Sequence, residues 1–198
     1  MKKPILTQLL IFICPFFLFT TQLFSSRTTA KILLDEYLKA FCCNEIGVCY
    51  GVRINTEKGI DVLEKPENIQ KGLVNGKPTP WGYGSGIEDA PYQTATLLFS
   101  LCEAYDVSGD EVFYTAAKKI FKGMVLIGTV AATPGFIPRG PHPDGKSYYT
   151  DSSLDQHSLY LCGIIKVKLW MKKTNNLILM RKTPGSLHVR RDTRNTCT

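Results

Sequence analysis

The sequence predicts a mainly α protein built from antiparallel helical hairpins and long irregular loops. Three observations predict it: apolar residues recur at helical spacing, two helical segments are separated by only a few residues, and a stretch rich in Pro and Gly covers residues 132–150. At 198 residues, with 44% hydrophobic and 21% charged content, the chain has a globular rather than a disordered composition.

The first element is an export segment. Lys2 and Lys3 precede a short apolar run over residues 5–19, and small or polar residues follow as far as Ala30. This order is typical of a secretory signal peptide, and the run is short for a spanning helix, which needs about 20 apolar residues. We therefore expect residues 1–30 to be a signal peptide or a retained N-terminal membrane anchor. The protein is then periplasmic, secreted or attached to a membrane through this segment only.

An amphipathic helix is predicted over residues 31–43. Its apolar stripe consists of Ile32, Leu33, Tyr37, Leu38 and Phe41. Residues 47–55 favour β structure, and Asn75-Gly76 predicts a turn.

Cysteines are consistent with export, because an oxidising compartment permits disulfides. Cys102 and Cys162 lie in apolar helical patterns, where an unpaired cysteine is a common core residue. No spacing of cysteines and histidines indicates a zinc site. We expect neither a metal nor a cofactor.

Two helices with capping boxes form the predicted hairpin. Ser85-Gly-Ile-Glu88 begins a helix that runs to about Tyr105, and Ser108-Gly-Asp-Glu111 begins one that runs to about Val130. Their short connection predicts antiparallel packing. A similar start at residues 152–155 predicts another helix after the long loop.

The positive charge is confined to the end of the chain. From Lys166 onward there are nine basic residues and one acidic residue, whereas residues 1–165 hold fifteen and sixteen. The body is therefore neutral, and we expect no nucleic-acid partner. Residues 166–198 are interpreted as a basic tail without helical period, and a shifted reading frame is favoured over a genuine segment that binds acidic polymers.

Carboxylates stand at the start of three of the predicted helices. Asp110 and Glu111 follow a tight turn and are assigned to capping, because acids favour helix N-termini. Glu88, Asp89 and Asp155 follow long polar loops, so these three are the candidate catalytic residues. Paired carboxylates can protonate a leaving oxygen and activate water.

Rings and planar donors surround these acids. Trp81 and Tyr83 lie in a Gly-rich loop and offer flat faces for a sugar ring. The other candidate substrate-binding residues come from the long loop and the following helix: Arg139, His142, Tyr149, Gln156 and His157. A structural role for His157 stays open. The glycine spacing at 82, 84 and 86 does not fit a dinucleotide fingerprint, and Asp89 would repel a phosphate.

The order of these motifs resembles the six-hairpin glycosidase-like family. The similarity spans residues 81–163 and is carried by four segments: Trp81-Gly-Tyr-Gly-Ser-Gly-Ile-Glu-Asp89, Gly135-Phe-Ile-Pro-Arg-Gly140, Asp144-Gly-Lys-Ser-Tyr-Tyr149 and Ser152-Ser-Leu-Asp-Gln156. The resemblance implies an (α/α)6 toroid and an oligosaccharide or polysaccharide substrate. It also implies glycoside hydrolase activity, including action on unsaturated uronides, and some relatives of the family are polysaccharide lyases. It also implies an acid and base from Asp155 and one of Glu88 or Asp89, with Arg139 and His142 binding the sugar.

The chain departs from the family in length. About four helices are predicted, where the complete toroid needs twelve, so residues 31–165 are expected to form a partial, truncated toroid. The alternative to an enzyme is a non-catalytic glycan-binding module or pseudoenzyme. A third hypothesis is an adaptor whose basic tail binds acidic polymers.

Overall fold

The computed structural model describes residues 26–182. It is 56% helix and 7% strand, which confirms the mainly α prediction. Helix α1 occupies residues 26–41, and the later helices are α2 Pro66–Gln70, α3 Ala90–Ser108, α4 Glu111–Thr129 and α5 Leu154–Lys182. Most of the predicted export segment lies outside the described residues. Among the described helices, none combines the length and apolarity that crossing a bilayer requires.

Helices α3 and α4 form the predicted antiparallel hairpin. The predicted capping role of Ser108 is wrong, because this residue is the last of α3. Gly109 ends α3 in a left-handed conformation (φ 64°), and Asp110 then caps α4 by accepting a hydrogen bond from the Val112 amide at 3.1 Å. Two residues thus connect the helices.

Helix α5 lies against α3 and runs parallel to it. Gln156 contacts the start of α3, whereas Lys173 forms an ion pair with Asp106, near its end, at 2.8 Å. The backbones approach closely at Gly163, where an added Cβ would lie 3.1 Å from the Cβ of Ala95. The N-terminal ends of α3 and α5 therefore lie at the same end of the helical layer.

Helix α5 continues well past the predicted boundary at residue 165. Val167, Trp170 and Thr174 are buried at helical spacing, and the Trp170 ring packs edge-on against Tyr105 at 5.6 Å. The expectation of a tail without helical period is therefore wrong as far as Thr174, and the helix itself ends at Lys182. The shifted reading frame stays a prediction, and the arginine-rich residues 190–194 lie outside the described part of the chain.

Helix α1 buries only part of the predicted apolar stripe. Leu34 is buried, whereas Ile32 and Leu33 are 57% and 64% exposed. Tyr37, Leu38 and Phe41 are partly buried against the core, as expected.

Two short hairpins follow α1. Strands β1 (Cys42–Cys43) and β2 (Val48–Cys49) pair antiparallel, and a disulfide joins Cys42 to Cys49. Strands β3 (Leu73–Val74) and β4 (Lys77–Pro78) pair through a turn at Asn75 and Gly76, both at positive φ, which confirms the turn prediction.

The unpaired cysteines differ in their surroundings. Cys102 is fully buried, as predicted for a core residue. The same prediction for Cys162 is wrong, because this side chain is exposed.

Candidate functional site

The predicted site residues lie where α3 and α5 begin, between two irregular segments. The first is the Trp81 loop, residues 79–89, and the second is the long loop, residues 130–153. The two loops touch at Gly140, where an added Cβ would lie 2.2 Å from the carbonyl oxygen of Ile87. Glycine is required there because no side chain fits between the two backbones.

Glu88 belongs to the Trp81 loop rather than to a helix cap. Its carboxylate accepts hydrogen bonds from the Gly84 amide at 3.1 Å and from the Ser85 hydroxyl at 3.0 Å. The predicted capping box therefore closes the loop on itself, and α3 begins only at Ala90. The prediction that this box starts the helix is wrong.

Asp89 stands at the N-cap of α3 and is joined to α5 by Gln156. The Gln156 amide group donates to Asp89 Oδ1 at 3.0 Å, and its carbonyl oxygen accepts from the Tyr92 amide at 3.2 Å. Gln156 is fully buried. It therefore satisfies a free amide in the first turn of α3 and has no exposed atom for the substrate role we predicted.

Asp155 lies in the first turn of α5 and is exposed. Its carboxylate accepts a hydrogen bond from the Ser153 hydroxyl. This hydrogen bond is the largest cause that lowers the pKa of Asp155, and the charge of Arg139 lowers it further. Asp155 therefore stays ionised to lower pH than an ordinary aspartate.

The pKa of Asp89 moves in the opposite direction. Burial raises it most, and the charge of Glu88 raises it further. The charge of Asp155 also raises it, while the bond from Gln156 and the charge of Arg139 act against the rise. Glu88, Asp89 and Asp155, which we call the acid cluster, thus lie close enough for Asp89 to respond to both neighbours.

Arg139 supplies the positive charge beside the acid cluster. The side chain is only 6% exposed, and its Nε donates to Asp151 Oδ2 at 2.9 Å. Its guanidinium also lies 5.0 Å from the centre of the Tyr83 ring. Burial lowers the pKa of Arg139, but hydrogen bonds with Asp151 and Tyr83 outweigh it and leave the pKa raised.

The aromatic candidates divide into exposed and buried rings. Trp81 and Tyr83 are 55% and 63% exposed, so the Trp81 ring and the face of Tyr83 that is turned away from Arg139 are open to a ligand. Tyr149 is fully buried, donates from its hydroxyl to the Thr79 carbonyl at 2.8 Å, and packs against Gly82. Tyr149 therefore supports the Trp81 loop from inside, and its predicted contact with substrate is not available in this arrangement.

The two histidines support the loops that carry them. His142 is 8% exposed, and its Nδ1 accepts from the Asp144 amide at 3.2 Å, while burial lowers its pKa. His157 Nδ1 lies 3.1 Å from the Ser152 hydroxyl, and its ring meets Phe136 edge-on. No contact joins either histidine to the acid cluster within residues 26–182.

Two residues outside the predicted set shape the site. Asp151 anchors Arg139 through both its side chain and its backbone carbonyl, and Ser153 holds the carboxylate of Asp155. The contact between Ser153 and Asp155 could have been predicted from sequence, because a serine two residues before an acid in the first turn of a helix often donates a hydrogen bond to it. The contact between Arg139 and Asp151 joins two distant positions of the long loop, so no local spacing in the sequence indicates it.

Metal chemistry has no ready donor set in the described residues. Across residues 26–182, no group of three or more His, Cys, Asp or Glu side chains is placed to hold a metal ion.

No family model, curated protein or solved structure matches the chain.

Proposed function

We propose that the protein is an exported, glycoside hydrolase-like protein whose helices form part of an α/α toroid. One observation carries the proposal: Asp89 and Asp155 share one electrostatic field, yet the pKa of the first is raised and that of the second is lowered. When the surroundings of two carboxyl groups shift their pKa values apart, the two groups commonly serve as the acid and the base of one reaction.

The roles follow from these directions. The raised pKa of Asp89 makes it the better proton donor of the two acids, so we assign it to protonate the glycosidic oxygen as the bond to the anomeric carbon breaks. Asp155 stays ionised and takes a proton from the water that attacks the anomeric carbon. The net change is addition of water across the glycosidic bond, and the two protons balance.

Binding groups surround the two acids. Trp81 and Tyr83 offer exposed ring faces for the sugar. Arg139 is buried and paired with Asp151, so it contributes positive charge near a bound uronide and not a direct contact. The Cys42–Cys49 disulfide supports the export part of the proposal, because such bonds persist in oxidising compartments.

The test measures release of reducing ends from neutral and uronic-acid oligosaccharides. Asp155→Asn and Asp89→Asn should each lower the rate about 100-fold or more, since general acid–base groups contribute about 10²–10⁴-fold. Asp110→Asn is the matched control, because Asp110 caps α4 away from the acid cluster, and it should keep the rate. Cleavage that survives Asp155→Asn would contradict the assignment.

A second candidate function is glycan binding without cleavage. It is favoured by the exposure of Trp81 and Tyr83, which bind a sugar whether or not the acids react. Under this alternative, Trp81→Ala with Tyr83→Ala abolishes retention on immobilised oligosaccharide, and Asp155→Asn leaves it unchanged. Retention without any cleavage in the unaltered protein would favour this candidate over the enzyme.

The adaptor hypothesis receives less support. Lys166 and Lys173 already pair with Glu103 and Asp106 on α3, so part of the basic segment is engaged within the fold. Its arginines at positions 190, 191 and 194 lie outside the described residues. Removal of residues 183–198 alone would test it, since binding to an acidic polymer should then disappear.

A further inference from the structure

A cavity of about 300 Å³ lies between α4 and α5, lined by residues other than those of the candidate site. Its apolar walls are Leu98, Ala117, Phe121, Val167, Trp170 and Met171. Small-molecule sites occupy about 300–1,000 Å³, so this cavity matches a short ligand rather than a polymer. The part of α5 that lines it belongs to the segment expected from sequence to be a basic tail without helical period.

Two lysines line the mouth of the cavity. Lys118 and Lys122 are one helical turn apart on α4, and both are exposed. Within the described residues neither has a carboxylate partner, although Lys118 Nζ lies 5.4 Å from the centre of the Tyr114 ring. The mouth therefore presents two uncompensated positive charges above apolar walls.

An unsatisfied donor lies in the same wall. Trp170 is 5% exposed, and its indole Nε1 is the single buried side-chain polar atom in residues 26–174 without a hydrogen-bond partner. A buried N–H without an acceptor is costly, so such groups are rare in folded proteins.

We propose that this cavity binds a medium-chain fatty carboxylate. The unbranched chain occupies the cleft between the helices, and the carboxylate meets the two lysines, whose point charges suit a single anionic group. The charge at the mouth distinguishes this ligand from a purely apolar one. The proposal is independent of the glycoside hydrolase function, because none of its residues belongs to the acid cluster or its surroundings.

The test uses Trp170 as the reporter. The chain has two tryptophans, so Trp81→Phe leaves Trp170 as the only source of indole fluorescence. Decanoate, added below its micelle concentration, should change the emission of Trp170 in a saturable manner. Decanol, which has the same chain without the charge, should bind about tenfold more weakly.

Charge variants separate this site from general apolar binding. Lys118→Gln with Lys122→Gln should weaken decanoate about tenfold and leave decanol unchanged, because the lysine stems are replaced by similar length. Lys58→Gln with Lys71→Gln is the matched control, since it removes the same charge from exposed positions that do not line the cavity. It should leave both ligands unaffected.

A blocking variant completes the design. Ala117→Leu should prevent binding of both ligands by filling the cavity, provided that its circular dichroism spectrum and thermal transition show a folded protein. The proposal is overturned if decanoate causes no saturable change in Trp170 emission. It is equally overturned if decanoate binds no better than decanol, or if the two pairs of lysine substitutions weaken it alike.

Discussion

Replacement of Gln156 by Leu is the sharpest test of how the candidate site is assembled. Gln156 is fully buried and joins α5 to α3 through a charge-assisted bond to Asp89 and a neutral bond from the Tyr92 amide. These bonds are worth about 1.5–3 and 0.5–1.5 kcal/mol, so their loss should lower the free energy of unfolding by about 2–4 kcal/mol.

Urea unfolding of the full chain, followed by tryptophan fluorescence, measures this change. Gln93→Leu is the matched control, because Gln93 lies in the first turn of α3, the helix that Gln156 contacts, and its side chain accepts one hydrogen bond, from the Tyr37 hydroxyl at 3.3 Å. Its replacement should cost at most about 1 kcal/mol. In an Asp89→Asn background the cost of Gln156→Leu should fall by about 1 kcal/mol, because the acceptor is then uncharged.

Two results would refute this reasoning. One is a change below about 1 kcal/mol for Gln156→Leu, which would mean that water or a neighbour replaces both bonds. The other is that Gln156→Leu lowers the free energy of unfolding equally in the unaltered protein and in the Asp89→Asn variant. That result would mean that the charge of the Asp89 carboxylate does not strengthen its hydrogen bond with Gln156.

Two further predictions concern the loops. Gly140→Ala should destabilise the protein by about 2–3 kcal/mol in the same urea assay, because the new methyl group meets the Ile87 carbonyl. Gly51→Ala should be nearly neutral, because its new methyl group would only make an ordinary contact, at 4.0 Å, with the Cβ of Asp89. Asp144→Ala should cost about 1–2 kcal/mol at pH 7, since the carboxylate accepts from the Lys146 amide and from both the amide and hydroxyl of Ser147. Burial raises the pKa of Asp144, but these hydrogen bonds outweigh burial and leave the pKa lowered. The loss of stability caused by Asp144→Ala should therefore become smaller as the pH of the unfolding measurement falls through that pKa.

The sequence predicted the elements whose signals are local. The α3–α4 hairpin and the Asn75-Gly76 turn depend on residues a few positions apart, and both are present. The length of α5 was missed because lysines alternate with its buried residues. Lysine stems can cover apolar surface while their charges reach Glu103 and Asp106, and only the packed partner shows this.

The sequence predicted which residue types form the candidate site better than it predicted which side chains face a ligand. The acids at the starts of α3 and α5 lie near each other because the two helices run parallel, a relation that no spacing encodes. Tyr149 and Gln156 have the residue types of a sugar site, yet both are buried and hold other groups in place. Whether a polar ring faces a ligand or the interior depends on contacts between segments that are distant in the chain.

The parallel arrangement of α3 and α5 has a consequence for the order of assembly. Two residues join α3 to α4, so that hairpin can form early at small entropic cost, whereas α5 must return across the whole long loop before it pairs with α3. Asp89 and Asp155 meet only in this last, non-local step. During refolding, Asp89 and Asp155 should therefore come together only when the tertiary structure is complete. This step should be slower than the return of the helical circular dichroism signal.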